Sequence, residues 1–223
     1  GNGLAFAAPT VDLDALRGWK QSVVDRLTGG LSGLAKQRNV TTVVGTGKFI
    51  SPNTVEITAD DGSTSTVSFD AAIIAAGSEP VQLPFIPHDD PRVIDSTGAL
   101  DLDTIPERLL VLGGGIIGLE MATVYSELGT QISVVELMDQ LIPGADKDLV
   151  TPLTKKIAKE YAAIWLGTKV TNVEAGPDGL TVTFDATASK DKAKAPETAV
   201  FDKILVAVGR RPNGTLIGAD AAG

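Results

Sequence analysis

Apolar positions recur along the chain in two rhythms, and the switches between them lay out the elements. From Thr10 to Arg38, residues Leu13, Leu16, Val23, Val24, Leu27, Leu31 and Leu34 return at steps of three and four, the period of an amphipathic helix. Thr10 and Asp12 are both suited to cap its start. Gly29, Gly30 and Gly33 lower helix propensity inside it; they mark either a close approach of another backbone or a break between two helices. Four short runs follow, VTTVV, GKFI, TVEIT and STVSF, separated by GTG, SPN and DDGS. That spacing predicts a β-meander. The next run, AAIIAAG, is apolar without alternation, as in a strand buried on both faces. SEPVQLPFIPHDDP carries four prolines and reads as a linker.

The second half repeats the theme with helices added. Strand LLVLGG leads into helix IIGLEMATVYSELG and then strand QISVVEL. A helix is expected over 146–160, with acids early and Lys155, Lys156 and Lys159 late, in keeping with the helix dipole. AIWL, KVTNVEA, GLTVTFDA and TAVFD form another meander, interrupted by TASKDKAKAPET, which reads as a solvated hairpin loop. ILVAVG closes the series as a second buried strand.

Two segments match in register. FDAAIIAAGSEP spans Phe69 to Pro80 and FDKILVAVGRRP spans Phe201 to Pro212. Each follows a meander, which points to an internal duplication. The second copy has a glycine turn at Gly113 ahead of it. The same spacing counted back from Gly77 falls before residue 1, so the chain reads as a fragment that starts inside its first domain.

That turn carries the clearest chemistry. Gly113, Gly115 and Gly118 form G-x-G-x-x-G between an apolar strand and a helix, the context such a motif needs. The first glycine permits the tight turn, the second lets the backbone approach a pyrophosphate, and the third lets helix and strand pack closely. The helix N-terminus offers free N–H groups and a positive dipole end to phosphate. Glu136 ends the next strand, where a carboxylate can accept the hydroxyls of an adenosine ribose and would repel a 2′-phosphate. Residues 137–145, LMDQLIPGA, contain no Arg or Lys, so NAD is expected rather than NADP. Glu120, on the first turn of the helix, is either a dipole-stabilising surface acid or a buried carboxylate facing a redox centre. Spacing leaves both open. His88, the only histidine, is expected in a loop. Arg210 and Arg211 are either solvated or placed at the carboxyl edge of the sheet, where ligands bind in such folds.

Composition narrows the partners. The 223 residues carry a net charge of −9, which disfavours nucleic acid and anionic membrane as partners. There is no cysteine, hence no disulfide, thiolate metal site or dithiol centre within these residues. No metal-ligand spacing and no nucleophile elbow is present. No apolar run approaches a membrane span, and GNGLAFAAPT lacks the features of a signal peptide. A cytoplasmic enzyme, or part of one, is the expectation.

At GGGIIGLEMATVYSELG and ISVVE, together with IIAAGSEPVQLPFIP, LVAVGRRPN, RLTGGLSGLAK, GTGKF and DSTGAL, the chain resembles the flavoprotein disulfide reductases. Within them it is most similar to the bacterial dihydrolipoyl dehydrogenases, of which it looks like a central piece. The resemblance implies an α/β fold of Rossmann-like, doubly wound parallel sheets with β-meander crossovers. Residues 1–82 would be part of an FAD domain, 83–212 an NAD domain, and 213–223 the start of a return. Gly113, Gly114, Gly115, Ile116, Ile117, Gly118 and Glu136 would bind NAD, with Val170 and Gly209 lining its adenine and nicotinamide sides. Gly47, Ala75, Ala76 and Gly77 would touch FAD, although the family usually has Thr at the position of Ala76. Glu120 would pair with a lysine beside the flavin.

The resemblance further implies a homodimeric parent that takes electrons from a lipoyl domain of 2-oxoacid dehydrogenase complexes, through a disulfide and FAD, to NAD. The family's FAD glycine turn, cysteine pair, Glu120-partner lysine, second FAD segment and dimerisation domain with its His–Glu pair are not among these residues. This chain alone is therefore expected to be inactive. The competing expectations are a non-catalytic NAD-binding module and a related NAD-linked flavoprotein such as a soluble transhydrogenase.

Overall fold

The computed structural model describes residues 9–187, 189 and 195–223. The hairpin loop expected over 187–198 and the GNGLAFAAPT start lie largely outside them. The chain divides into two compact units, one built on Pro80–Gly209 and the other on Asp12–Glu79 with Arg210–Gly223.

The second of these begins with α1 (Leu13–Gln37), whose N-cap is Asp12, its carboxylate accepting from the Ala15 N–H at 3.0 Å. The helix is unbroken, and a Cβ at Gly29, Gly30 or Gly33 would meet nothing within 4 Å. Among the described residues these glycines therefore mark neither a break nor a close approach. No α1 residue is buried, and Trp19, Leu27, Leu31 and Leu34 are exposed. Next comes an antiparallel meander of β1 (Thr46–Ser51), β2 (Thr54–Thr58) and β3 (Thr64–Ser68). Phe49 is buried there, its ring edge-on to Phe69 with centroids 5.9 Å apart.

Two expected strands do not form. VTTVV and AAIIAAG join no sheet among the described residues, so residues 1–82 hold the expected helix and meander without the buried strand. The reason is physical: a strand exists only where a neighbour takes up its N–H and C=O groups. Ile73, expected in a core, is 97% exposed. After it, β4 (Ser78–Pro80) forms inside the stretch read as a linker.

The strands of the Pro80–Gly209 unit, by contrast, are all paired. Its elements are β5 (Val93–Ile94), α2 (Ser96–Asp101), β6 (Arg108–Leu112), α3 (Ile116–Glu127), β7 (Gln131–Val135), α4 (Lys147–Ile157), β8 (Ala163–Trp165), β9 (Lys169–Gly176), β10 (Gly179–Asp185), β11 (Thr198–Phe201) and β12 (Lys203–Val206). A five-stranded sheet runs β5-β12-β6-β7-β8, every neighbour parallel. The β9–β11 meander carries the chain from β8 back across to β12. Leu110, Leu112, Val135, Ile204 and Val206 pack on one face against the meander's Val173, Leu180, Val182, Phe184 and Phe201. Alternate residues of the strands, including Leu109, Val111, Ile132 and Val134, are also buried; α3 contacts β6 and β7. Full burial of each such side chain is worth about 1.5–3 kcal/mol. Within α3, Tyr125 is buried and its hydroxyl donates to the Ala99 carbonyl at 3.0 Å.

The last strand, β13 (Arg210–Pro212), pairs with β4. The closing residues then return to the first meander, where the Phe49 N–H donates to the Ile217 carbonyl at 2.8 Å.

Candidate functional site

The chain leaves β6 for β7 on one side, while β12 lies on β6's other side. The carboxyl ends of β6 and β12 thus form a topological switch point, the place where open parallel sheets bind ligands. The glycine turn sits there.

Two of the three motif glycines have a steric reason to be glycine. Gly113 has φ +107, and a Cβ on it would lie 2.4 Å from the Ala207 carbonyl oxygen at the end of β12. A Cβ on Gly118 would lie 2.2 Å from the Gly113 oxygen and 3.0 Å from Val111 Cγ1, so helix and strand touch only because it is absent. Gly115 is the opposite case: it is the N-cap of α3, and a Cβ there would meet nothing within 4 Å. The turn is tight below and open above, and the open side is the N-terminus of α3. Free N–H groups and a positive dipole end are thereby left for an anion. Ile116 and Ile117 flank this opening and are 62% and 37% exposed.

Glu136 follows β7 directly and is buried. Its Oε2 accepts from the Gly114 N–H at 2.7 Å and its Oε1 from the Met138 N–H at 2.8 Å. A carboxylate has about four lone-pair positions, so capacity for a diol remains. The carboxylate therefore does more than sequence spacing indicates, because it also ties down the turn. Gly114 was expected only as part of the motif. It is buried, and a Cβ on it would lie 2.5 Å from Leu141 Cδ2.

The remaining expected residues divide. Gly209 is exposed at φ +126, just past β12. The Val170 side chain is buried in the core between sheet and meander, so any role toward a ligand falls to its main chain. Glu120 is exposed on α3. Its exposure in this chain suits a surface acid and equally a carboxylate that a flavin-side segment covers. His88 lies in a loop, its Nε2 within 3.1 Å of the Leu83 N–H and 3.0 Å of the Leu83 carbonyl. Among the described residues no cluster of three or more His, Cys, Asp or Glu could hold a metal, and no helix is long and apolar enough to cross a membrane.

In the other unit, Gly47 lies on β1, while Ala75, Ala76 and Gly77 lie in the unpaired, exposed run. Asn213 holds that run: its backbone N–H donates to the Gly77 carbonyl at 3.0 Å and its Nδ2 to the Ala76 carbonyl at 3.2 Å. Among the described residues its Oδ1 is buried with no partner. Arg210 binds Ser78, Nε to Oγ at 2.7 Å and Nη2 to the carbonyl, and so is neither simply solvated nor free.

Sequence reasoning missed Asn213 and also Ile142. Ile142 donates its N–H to the Gly114 carbonyl at 2.8 Å from a backbone at φ +47. That region is a genuine outlier for a β-branched residue and costs of order 1–3 kcal/mol. No sequence signal announces it; LIPG reads as an ordinary turn.

A family model described as pyridine nucleotide-disulphide oxidoreductase matches residues 4–223. Dihydrolipoyl dehydrogenase of Vibrio cholerae is 52% identical over 222 residues, covering 100% of this chain and 45% of the relative. The Bacillus subtilis dihydrolipoyl dehydrogenase is 38% identical, covering 99% and 46%. Among solved structures, LpdA of Mycobacterium tuberculosis superposes with a TM-score of 0.81 at 25% identity, over 96% of this chain and 46% of that one. The flavoprotein disulfide reductase RclA of Escherichia coli shares the fold, with a TM-score of 0.78 at 23% identity over 96% and 46% of the two chains. The chain thus spans about half the length of the curated relatives it matches.

Proposed function

The chain belongs to the pyridine nucleotide-disulphide oxidoreductase family, and on that premise we propose that it is the NAD-binding central part of a dihydrolipoyl dehydrogenase. The observation that carries this reading is Glu136, set at the carboxyl end of β7 beside the glycine turn, with no basic residue in 137–145. In this reading Glu136 accepts the adenosine ribose hydroxyls, the open N-terminus of α3 holds the pyrophosphate, and Gly209 leaves room beside the nicotinamide. NAD held there would supply a hydride-accepting nicotinamide.

For the whole enzyme the proposed balance is dihydrolipoamide plus NAD⁺ giving lipoamide, NADH and a proton, with electrons passing through a disulfide and FAD. This chain has no cysteine, so its residues supply only the acceptor end. Gly47 and Ala75–Gly77 are the FAD-side fragments. On their own they make no cradle, since the run containing three of them is unpaired and exposed. The rest of the protein is proposed to supply the strands that pair with 71–77, the flavin-side partner of Glu120, and the homodimer that receives a lipoyl domain in the cytoplasm.

The absence of cysteine favours a second reading, a self-standing NAD module, and a soluble transhydrogenase is a third. The bare apolar run at 71–77 weighs against the self-standing module, because it leaves apolar surface for something else to cover.

Calorimetry tests the assignment. NAD should bind the chain at least tenfold more tightly than NADP, and Glu136→Ala should weaken NAD at least tenfold while the fold persists by circular dichroism. Unchanged NAD affinity in the alanine variant would remove Glu136 from the ribose. Equal affinity for the two nucleotides would remove the preference.

A further inference from the structure

Gly114 is gripped at both ends of its residue. Its N–H donates to Glu136 Oε2 at 2.7 Å, and its carbonyl accepts from the Ile142 N–H at 2.8 Å. Between the two grips, Leu141 lies against its Cα, 1% exposed. All three contacts come from the single segment that follows β7. Ile142 reaches its position only in the left-handed region, at φ +47, although it is β-branched and precedes a proline, both of which disfavour that conformation. Strain of this kind persists only where the surroundings over-determine it, and it concentrates at functional sites. Here the surroundings are visible. The Ala145 N–H donates to the Ile142 carbonyl at 3.1 Å, and Gln140 Nε2 donates to the Ala145 carbonyl at 2.7 Å.

We propose that residues 136–142 are a clamp that sets the glycine turn before any nucleotide arrives, with Ile142 as a positioning residue acting through Gly114. The inference rests on the reading of the turn as a dinucleotide site and adds to it a division of labour. Glu136 serves the ribose and the turn together; Ile142 serves the turn alone. Its strained N–H is what keeps the neighbouring Gly115 and the start of α3 presented to phosphate, in place of ordering that would otherwise accompany binding.

The test separates phosphate from ribose, using ADP and adenosine as probes of the full chain. Ile142→Pro removes the N–H and, because proline fixes φ at about −65°, the positive-φ backbone with it; it should weaken ADP at least tenfold, with adenosine unchanged within twofold by NMR titration. Ile142→Gly keeps the N–H and accepts a positive φ, so both probes should bind within twofold of the parent. Parent-like ADP binding by a folded Ile142→Pro, or an equal loss for adenosine, would overturn the clamp and leave the nucleotide reading standing. Failure of the parent chain to bind either probe would overturn the nucleotide reading and the clamp with it. Hydrogen exchange on the parent chain gives a readout that needs no variant. The Gly114 amide should be protected without ligand to the degree seen in β7. Exchange at an open-loop rate until ADP is added would overturn the preset turn.

Discussion

The two copies of the internal repeat have nearly the same pattern and opposite fates. In Phe201–Pro212 the apolar run is β12, held between β5 and β6, with Leu205 0% and Val206 4% exposed. In Phe69–Pro80 the matching Ile73 and Ile74 are 97% and 56% exposed, and the run 71–77 joins no sheet among the described residues. Both copies end in a positive-φ glycine, Gly77 and Gly209, and their tails, β4 and β13, pair with each other. What differs is the neighbourhood. An apolar run states a capacity to be a buried strand; the strands on either side make it one.

The sharpest way to break this comparison is to put a charge into both copies. Val206→Asp buries a carboxylate with no partner and should cost more than about 4 kcal/mol, enough to unfold the Pro80–Gly209 unit in a urea melt. Ile74→Asp should stay within about 0.5 kcal/mol of the parent, as exposed substitutions do. Similar losses from the two would show that the copies are packed alike.

The same contrast explains what was legible in the sequence. Elements whose partners lie nearby in the chain were readable from pattern: the glycine turn with its flanking β6 and α3, the alternation of β9 and β10, and the capped α1. The expectations for Gly113, Gly115 and Gly118 follow from local stereochemistry; a Cβ would clash at Gly113 and Gly118 and meets nothing at Gly115. The strand at 71–77 was misread because pairing is not local. Val170, expected beside the adenine, has its side chain drawn into the core by the meander, which leaves its main chain for such a role. Ile142 and Asn213 were invisible for a related reason. Each acts through its backbone or an amide on a segment distant in sequence, and residue type alone does not encode such a contact. The short β5 and α2 were also missed, although Asp95 is a fair N-cap signal and does accept from the Thr97 and Gly98 N–H groups.

A milder pair of substitutions sharpens the comparison into a measurement. Leu205→Ala empties a fully buried site and should cost about 2–5 kcal/mol, while Ile73→Ala should stay within about 0.5 kcal/mol. In a longer form of the protein that supplies the proposed strands, the Ile73→Ala cost should rise towards that of Leu205→Ala. If it stays near zero there, the two copies are not equivalent positions of one design, and the proposal that 71–77 awaits strands fails with it.

The smallest expected effect concerns the aspartate that opens each run. Asp202 accepts from the Arg108 N–H at 2.7 Å and from Arg108 Nη2 at 2.9 Å. Partial burial raises its acidity constant's pKa, but the hydrogen bonds and charge of Arg108 outweigh this and leave it below the usual carboxylate range. A carboxyl lowered in the folded state adds stability that is present above its unfolded pKa and is lost as pH falls through the folded one. The contribution should therefore fade below about pH 4. Asp202→Asn should flatten that limb of the stability curve and change little of its shape at neutral pH, apart from a uniform drop for the altered hydrogen bonds. The pair is part-exposed, with side-chain exposures of 42% for Arg108 and 32% for Asp202, so solvent screening keeps the effect small. Asp70, the matching residue of the other copy, is exposed, and Asp70→Asn should stay within about 0.5 kcal/mol of the parent at neutral pH. An acid limb unchanged in Asp202→Asn would mean that the pairing with Arg108 adds nothing, and that the first residue of β6 is held by its strand neighbours alone.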